Sequence, residues 1–406
     1  MPIFSNYIKI LFILFGLFFL ENHSFSAEKP LNPDTICAKN EAVLVADSMG
    51  KILLSINADQ KLIPASILKL LTALTAFHYL DTDYRFATEF YIDDNMNLKI
   101  KGYGDPLLTS KVVKEISGML KRRLADAGPA IGDIILDDSY FADRIIIPGR
   151  SSSTEPYDAP NGALCVNFNT VFFKRAPNGS FVSAEPETPL LPFVLKRIKA
   201  SGINNGRIVL SQFKKENRLY AGHMFQYFMA KQGIKIKGRV RPGRIDTEKD
   251  RLIFRYYSKF TIKQVVSKLL EFSNNFIANQ VLIAVGADAF GAPGTLQKGV
   301  KAMLAYSDEQ LKAYNINISE GSGISRKNRI SARDMLKVIE GFKPYRNLMR
   351  HSGNEYFKTG TLKGVSTRAG YLVNQEGALF SFIIMINKQG KSAKKIMKKI
   401  RLIVKN

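Results

Sequence analysis

The sequence predicts a mixed α+β protein in which a turn-rich unit interrupts a larger unit of helices and antiparallel strands. Its 406 residues exceed one ordinary domain, so we expect two or three units. Strand signals joined by Gly-containing turns predict a hairpin over 43–56 and a three-stranded meander over 355–387, whereas the middle third is broken by turns. We therefore assign 35–90 and 251–406 to one unit and 91–250 to an inserted unit.

The remaining elements follow from turn residues and from helical periodicity. The turn Asp47-Ser48-Met49-Gly50 joins the two strands of the hairpin. Pro64 and Ala65 precede an apolar pattern of helical period that begins at Ser66. The same period predicts further helices over 112–127, 261–272, 274–285, 296–304 and 332–340. Short runs between turns predict strands over 86–91, 98–100, 131–136 and 162–168.

The last residues predict a basic amphipathic helix. Its apolar positions recur at helical spacing and form one stripe, made of Ala393, Ile396, Met397, Ile400, Ile403 and Val404. Lysines occupy the opposite face. We expect the stripe to pack on the preceding meander, and a peripheral contact of this helix with a membrane is the alternative.

The N-terminal residues have the features of a secretory signal peptide over 1–27. A lysine precedes the apolar run 10–20, and Ser24-Phe25-Ser26-Ala27 supplies small residues for cleavage. The run is short for a membrane span, although an uncleaved anchor is the alternative. We therefore expect an exported protein of the periplasm or cell envelope. Cys37 and Cys165 are expected to be buried free thiols, with a disulfide as the alternative that an oxidising compartment allows.

The chain is strongly basic, because 59 Lys and Arg against 35 Asp and Glu give a net charge of +24. The charges are scattered and lack the interleaved aromatic residues of nucleic-acid grooves, so we expect no nucleic-acid partner. Attraction to anionic polymers of the cell envelope and a merely lysine-rich composition both remain open as explanations.

The first chemical motif is Ser66-Ile67-Leu68-Lys69. A serine hydroxyl is a weak nucleophile until a base takes its proton, and residues three apart on a helix share a face, so Lys69 lies beside Ser66. To act as the base, Lys69 must be neutral, which requires burial or a nearby cation that lowers its pKa. The spacing by itself is a weak signal. It recurs at four other serines: Ser26, Ser48, Ser211 and Ser392.

Two further motifs strengthen this interpretation. Lys358-Thr359-Gly360-Thr361 occurs once, at the end of a predicted strand, and Ser273-Asn274-Asn275 opens a predicted helix between the other two motifs. Ser-x-x-Lys with Ser-Asp-Asn and Lys-Thr-Gly is the signature of penicillin-binding proteins and class A β-lactamases. The middle motif reads Ser-Asn-Asn here, which leaves its two outer side chains unchanged.

On these motifs the chain resembles the class C low-molecular-mass penicillin-binding proteins, the D-alanyl-D-alanine carboxypeptidase/endopeptidases. The likeness runs from about Val43 to Asn387. It includes further segments at 64–66, 102–107, 136–141, 163–169, 321–325 and 328–331. The resemblance implies a penicillin-binding/transpeptidase-like domain, with a five-stranded antiparallel sheet flanked by helices, interrupted by a large mixed insertion domain.

The resemblance also implies a role for each catalytic residue. Ser66 attacks the carbonyl between two D-alanines, and Lys69 accepts its proton. Ser273 and Lys358 lie near the leaving nitrogen, where Ser273 relays a proton and Lys358 holds positive potential toward the terminal carboxylate of the substrate. Asn275 binds the peptide backbone on the acyl side.

The implied substrate-binding residues are Thr359, Gly360 and Thr361. Thr359 binds the terminal carboxylate, and the backbone N–H groups of Ser66 and Thr361 form the oxyanion hole. The implied substrates are peptidoglycan peptides, with D-Ala cross-links as second targets, and β-lactam antibiotics are the implied covalent inhibitors. No cofactor is implied, and the histidines outside the signal region have neither metal-ligand spacing nor a triad pattern.

Two other functions remain as alternatives. The first is a β-lactamase-like hydrolase, although class A enzymes deacylate with a Glu-activated water and no Glu-x-x-Leu-Asn segment lies between Phe276 and Phe357. The second is a non-catalytic envelope-binding protein of the same fold, against which the complete set of motifs argues.

Some of these residues have a purely structural interpretation. Ser273 and Asn275 are types that cap helices. Asp105 and the segment 321–323 are more often structural turns than substrate contacts. Acids of the insertion at Glu155 and Asp158 could approach the cationic end of a peptide stem, but we expect solvated loop acids.

Overall fold

A computed structural model of the chain describes residues 39–124 and 130–404. The expected signal peptide over 1–27 lies outside these residues, and so does Cys37. Within 39–124 and 130–404, no helix is long and apolar enough to cross a membrane. Cys165 is a buried free thiol, and burial raises the pKa of this thiol to about 12.

Strands and helices alternate irregularly along these two ranges. The strands are β1 (Glu41–Ala46), β2 (Ile52–Ile56), β3 (Ala87–Ile92), β4 (Leu98–Gly102), β5 (Ile134–Asp137), β6 (Thr170–Arg175), β7 (Phe181–Ser183), β8 (Asn205–Val209), β9 (Val240–Pro242), β10 (Arg251–Tyr257), β11 (Ile316–Asn317), β12 (Arg329–Ile330), β13 (Arg350–Ser352), β14 (Glu355–Leu362), β15 (Val365–Val373) and β16 (Leu379–Ile386). The helices are α1 (Lys69–Leu80), α2 (Ser110–Leu124), α3 (Pro192–Ser201), α4 (Lys214–Lys231), α5 (Ile262–Phe272), α6 (Asn275–Phe290), α7 (Leu296–Glu309), α8 (Ala332–Phe342) and α9 (Ala393–Val404).

The larger sheet is antiparallel and has the strand order β13-β14-β15-β16-β1-β2. It contains the predicted hairpin and the predicted meander, joined where β1 pairs with β16 from Glu41 opposite Ile386 to Ala46 opposite Ser381. The two ends of the described chain therefore meet in the middle of one sheet. The three-residue strand β13 adds a sixth strand to the five that the resemblance implied.

The C-terminal helix α9 packs on one face of this sheet. Its buried residues Ala393, Met397, Ile400 and Val404 form one hydrophobic cluster with residues of β1 and β16. The lysines of α9 at 394, 395, 398 and 399 are exposed. Most of the apolar stripe is thus covered by the sheet, as the first of the two interpretations predicted, while Ile396 and Ile403 are half-buried.

Two helices on the opposite face are buried on nearly all sides. In α1, ten of twelve residues are buried, and in α6 twelve of sixteen are buried. A helix that is apolar all round lies inside a protein instead of on its surface. Both helices carry predicted catalytic residues at their N-termini, so the chemistry is placed at the edge of the main core.

The middle of the chain forms a second unit with its own core. A mixed five-stranded sheet has the order β10-β3-β4-β5-β9, with β4, β5 and β9 parallel, and a three-stranded sheet has the order β7-β6-β8. Helices α2, α3 and α4 complete this core. The segment 162–168, which we expected to be a strand, is instead a loop that ends in a tight turn. Asn167 and Phe168 there have φ values of 52° and 61°, which interrupt extended backbone.

The pairing of β3 with β10 bears on where the second unit begins and ends. Residues 87–92 pair with residues 251–257 at the edge of the five-stranded sheet. We propose on this ground that the unit boundaries lie just before β3 and just after β10, instead of at 90/91 and 250/251.

Gln280 on α6 ties the second unit to the first. Its buried side chain donates to the carbonyls of Gly104 and Gly162 at 3.2 and 2.6 Å, and accepts from the side chain of Asn161 at 2.9 Å. Asn161 also donates to the carbonyl of Phe276 at 3.0 Å. Two loops of the insertion are therefore fixed to one helix of the main unit.

The packing of α9 predicts a difference between two neighbouring positions. Ile400 is fully buried and Leu402 is 46% exposed. Replacing Ile400 by Ala leaves a cavity against the sheet and should lower the free energy of unfolding by about 3 kcal/mol, whereas Leu402→Ala should change it by about 0.5 kcal/mol or less. Urea unfolding followed by circular dichroism measures both. Equal effects of the two substitutions would contradict this placement of the helix.

Candidate active site

Ser66 lies at a sharp corner of the chain. The short 3-10 turn Ala65–Leu68 carries Ser66, and the α-helix begins only at Lys69. Ala65 has a φ of 48°, a left-handed conformation that is rare for residues other than glycine and costs of order 1–3 kcal/mol. The corner presents the half-buried Ser66 at the start of α1.

The side chain of Lys69 is fully buried and makes three contacts. Its Nζ lies 2.9 Å from Ser66 Oγ, 2.8 Å from Asn275 Oδ1 and 2.6 Å from the carbonyl oxygen of Ser322. The oxygens of Asn275 and Ser322 can only accept hydrogen bonds. A neutral amine has two N–H groups, so donating to both oxygens leaves its lone pair to accept from the Ser66 hydroxyl. In its neutral form, Lys69 is thus oriented as a base toward Ser66.

The surroundings of Lys69 lower its pKa well below the ordinary value of a lysine. Burial is the main cause because it disfavours the charged form, and the positive charge of Lys358 acts in the same direction. The carboxylate of Glu320 opposes both. Burial and a nearby cation, the two conditions under which a lysine becomes a base, are therefore both met.

The Ser-Asn-Asn motif lies where α5 ends and α6 begins. Ser273 follows the last residue of α5 with a φ of 52°. Asn274 caps α6, because its side chain accepts the backbone N–H of Ile277 at 3.0 Å. The helix-capping role that we considered for Ser273 and Asn275 is thus performed by Asn274, the residue between them. Asn and Asp cap equally well, which accounts for Asn at this position.

Lys358 extends from β14 to Ser273. Its Nζ donates to Ser273 Oγ at 2.7 Å and to the carbonyl of Thr359 at 2.8 Å. Lys358 is 2% exposed, and burial together with the charge of Arg350 lowers its pKa to about 7. Near neutral pH its ammonium is therefore only partly populated. Further along the same strand, Thr359 is half-buried and Thr361 is exposed.

Gly360 allows β14 to lie against the turn that carries Ser66. A Cβ added at Gly360 would stand 2.6 Å from the backbone nitrogen of Ser66 and 2.4 Å from Thr367 Oγ1. Thr367 on β15 in turn donates to the carbonyl of Pro64 at 2.7 Å, which ties the corner to the sheet. The absence of a side chain at Gly360 is therefore a steric requirement of this site.

Two hydrogen-bonded groups lie side by side in the site. One joins Ser66, Lys69 and Asn275, and the other joins Ser273 and Lys358. Asn275 follows Ser273 by two positions in the chain, and the charge of Lys358 acts on Lys69. The five residues predicted to be catalytic are thus brought together from three distant parts of the sequence.

Sequence reasoning missed two partners of Lys69. Ser322 binds Lys69 through its backbone carbonyl, and a main-chain group leaves no signature in the sequence. Glu320 is fully buried directly before the segment 321–323, which we had regarded as a structural turn. The sequence signal for Glu320 is its position directly before the segment 321–325, which is one of the segments that carry the family resemblance.

The other acids considered in the sequence have local structural partners. Asp158 is 1% exposed and accepts from the backbone N–H of Ser151 at 2.9 Å and from Ser153 Oγ at 2.5 Å. Glu155 is an exposed loop acid. Asp105 accepts the backbone N–H two residues further on, and burial raises its pKa to about 6. The structural interpretation fits Glu155 and Asp105. Asp158 also has a structural role, but it is buried, so our expectation of a solvated acid is wrong for this residue.

An antiparallel sheet with helices on both faces, interrupted by an insertion and carrying a Ser-x-x-Lys pair beside a Lys-Thr-Gly strand, defines a penicillin-binding protein of the transpeptidase-like class. The sequence profile of the D-Ala-D-Ala carboxypeptidase 3 (S13) family matches residues 28–350 and 343–406. The chain belongs to this family.

Known proteins with similar sequences or structures agree with this assignment. A D-alanyl-D-alanine carboxypeptidase of Actinomadura sp. (strain R39) is 24% identical over 86% of this chain and 77% of its own length. The crystal structure of penicillin binding protein 4 from Haemophilus influenzae is 19% identical, covers 89% of this chain and 94% of its own, and has a TM-score of 0.71. A predatory peptidoglycan endopeptidase from Bdellovibrio bacteriovorus is 16% identical, with coverages of 89% and 92% and a TM-score of 0.53.

The contact at Gly360 predicts the effect of a single methyl group. Gly360→Ala should push β14 away from the Ser66 turn and lower the rate of penicillin acylation by about 100-fold, because a displacement near 1 Å is enough for such a loss. The matched control is Gly118→Ala on α2, where the added Cβ meets nothing within 4 Å. Stopped-flow or gel assays with a fluorescent penicillin measure both. Wild-type acylation in Gly360→Ala would contradict the close approach of the strand.

Proposed function

We propose that the chain is a serine-type D-alanyl-D-alanine carboxypeptidase that cleaves the D-Ala-D-Ala end of peptidoglycan stem peptides through an acyl-enzyme on Ser66. The observation that carries the proposal is the buried amine of Lys69, whose two acceptors leave its lone pair for the Ser66 hydroxyl. Membership of the family supports the choice of substrate.

In the proposed acylation step, Ser66 Oγ attacks the carbonyl carbon between the two D-alanines while Lys69 Nζ takes the hydroxyl proton. The backbone N–H groups of Ser66 and Thr361 hold the oxyanion, and each such donor typically contributes about two to three orders of magnitude in rate. When the C–N bond breaks, Ser273 relays a proton to the leaving nitrogen. Its hydrogen bond from Lys358 fixes Ser273 for this transfer.

The proposed binding of substrate uses groups on both sides of Ser66. The charged form of Lys358 and the hydroxyl of Thr359 bind the terminal carboxylate. Asn275 donates from its Nδ2 to the peptide backbone on the acyl side, because its Oδ1 already accepts from Lys69. The amide of Asn275 thus links the position of the substrate to the position of the base.

Water then hydrolyses the ester of Ser66, releases the shortened peptide and restores the hydroxyl. β-Lactam antibiotics are proposed to acylate Ser66 in the same way. Opening of their ring leaves the nitrogen attached to the acyl group, so it cannot diffuse away as D-alanine does. A structure of the Haemophilus influenzae protein in complex with a β-lactam supports this part of the proposal.

A second activity is proposed on D-Ala cross-links. Cleavage of a cross-link breaks an amide at the same D-alanine carbonyl and differs only in the amine that leaves. The fold that the chain shares with the Bdellovibrio endopeptidase favours this activity. Both substrates are cell-wall polymers, in keeping with the export to the periplasm or cell envelope that we propose from residues 1–27.

The proposed nucleophile can be tested against another serine of the same motif. Ser66→Ala should abolish labelling by fluorescent penicillin and product formation from muropeptides, because it removes the hydroxyl that lies 2.9 Å from Lys69 Nζ. The control Ser48→Ala removes an exposed serine that also precedes a lysine by three positions, and it should keep both activities. Mass analysis of products from monomeric and cross-linked muropeptides is the measurement.

The same assay separates the alternatives. Loss of one alanine reports carboxypeptidase action, and conversion of dimers to monomers reports endopeptidase action. Unchanged labelling of Ser66→Ala would show that the nucleophile is another residue. Rapid release of the label from the wild type would indicate a β-lactamase, and a folded wild type without labelling or products would indicate a binding protein.

The lowered pKa of Lys358 predicts the alkaline side of the pH profile. Lys358 loses its charge as the pH rises through about 7, so kcat/KM for a peptide with a free terminal carboxylate should fall about tenfold per unit above that pH. A bound carboxylate stabilises the ammonium, so the fall in kcat should begin at a higher pH. A substrate with a terminal carboxamide is the control and should show no such fall. The same fall with both substrates would contradict this role of Lys358.

A further inference from the structure

A fully buried carboxylate lies behind the catalytic lysine. Glu320 has no exposed surface, and its two oxygens accept six hydrogen bonds. The donors are Ser322 N and Ser322 Oγ, each at 2.7 Å, Gly323 N at 2.7 Å, Ser325 N at 3.2 Å, Asn328 Nδ2 at 2.6 Å and Asn279 Nδ2 at 3.1 Å. All six partners are donors, which suits an ionised carboxylate.

These bonds fix the loop that presents a carbonyl to the base. The N–H groups of Ser322 and Gly323 point at Glu320, and the carbonyl of Ser322 accepts from Lys69 Nζ at 2.6 Å. The loop also lies directly against the nucleophile, since a Cβ at Gly323 would stand 1.9 Å from the carbonyl oxygen of Ala65. A rotation of this peptide would therefore disturb both Lys69 and the Ser66 corner.

Two further hydrogen bonds hold the same loop to the helices of the site. Thr72, one turn after Lys69 on α1, donates to the carbonyl of Gly321 at 2.6 Å. Asn279, one turn after Asn275 on α6, accepts from the N–H of Gly321 at 2.8 Å. The loop is thus fixed on both sides by residues that are helical neighbours of Lys69 and of Asn275, the side chain that accepts from Lys69.

We propose that Glu320 is a positioning residue for the reaction, which holds the Ser322 carbonyl where it engages one N–H of Lys69 and so keeps the lone pair of the amine aimed at Ser66. This inference rests on the proposed function and goes beyond it, because Glu320 touches neither the substrate nor the reacting atoms. Without a fixed carbonyl, the neutral amine can rotate and direct an N–H group at Ser66 Oγ, and the proton transfer is lost.

Glu320 also acts on Lys69 through its charge. The charged groups that act on the buried amine are Lys358 on β14, which lowers its pKa, and Glu320, which raises it. A buried carboxylate that does not act on the amine, such as Asp334, would leave the pH at which Lys69 loses its proton unchanged. The pH profile therefore distinguishes a group coupled to Lys69 from one that only stabilises the fold.

The test compares two substitutions of Glu320 by the pH dependence of penicillin acylation. Glu320→Gln removes the charge and replaces one acceptor oxygen by an NH2 group that faces the N–H donors of the loop. The rate at the optimum should therefore fall about 10- to 100-fold. The acid side of the profile should move to lower pH, because Lys69 loses the group that stabilises its charged form. Glu320→Asp keeps the charge and should lower the rate less, with the acid side unmoved.

Two other substitutions complete the test. Thr72→Val removes one support of the loop without changing any charge, so the rate should fall several-fold with the acid side unmoved. The matched control is Asp334→Asn, another buried carboxylate, which lies in the first turn of α8 and accepts from the backbone N–H of Asn315 at 2.8 Å, and it should keep both the rate and the profile. Circular dichroism establishes that each variant is folded.

Wild-type rates in the folded Glu320→Gln variant would overturn the proposal, and so would equal losses and equal profiles in the Gln and Asp variants. If Glu320→Gln does not fold, wild-type rates in both Glu320→Asp and Thr72→Val would overturn it instead. The proposed function is tested separately by the wild type, because an unlabelled wild type refutes the function, whereas a labelled wild type with unaffected variants refutes only the role of Glu320.

Discussion

The site depends on keeping a lysine amine inside the protein with both of its N–H groups bonded. An ammonium ion at this position would give up its hydration, and burial therefore favours the neutral amine that can serve as a base. That burial is possible because α1 is apolar on nearly all sides and enters the core from its first residue, Lys69. The two acceptors, Asn275 and the Ser322 carbonyl, come from a second helix and from a loop. No single element of the fold is able to supply this environment alone.

The antiparallel sheet supplies the remaining side of the site. Pairing of β1 with β16 joins strands from near the two ends of the described residues. β14 lies two strands from β16, next to the edge strand β13, and contacts the Ser66 turn. Gly360 then permits contact with the Ser66 turn, and Lys358 on the same strand adds a positive charge next to Lys69. Ser66, Lys69 and β14 are therefore brought together by contacts between residues that are hundreds of positions apart.

The side chains that meet at the site could be predicted from the sequence, whereas the main-chain groups that contact them could not. Ser66, Lys69 and Lys358 stand in motifs whose spacing reflects a helical turn and a strand, and the hairpin and meander have clear turn signals. The contact of Lys69 with the Ser322 carbonyl is a property of tertiary packing and has no local pattern. The apolar residues of 162–168 predicted a strand, but they are buried in a loop. The loop ends in left-handed backbone conformations, which asparagine adopts more readily than most residues.

The three hydrogen bonds of Gln280 limit which parts of the inserted unit can be lengthened or deleted. They attach the loops at Gly104 and at Asn161 and Gly162 to α6, the helix whose first residue is Asn275. Excision of the whole insertion would leave the buried amide of Gln280 without its hydrogen-bond partners, at a cost of about 1–3 kcal/mol, on the helix that carries Asn275. We therefore expect changes in chain length to be tolerated better around the three-stranded sheet than in the two loops that bond Gln280, whose loss would destabilise α6.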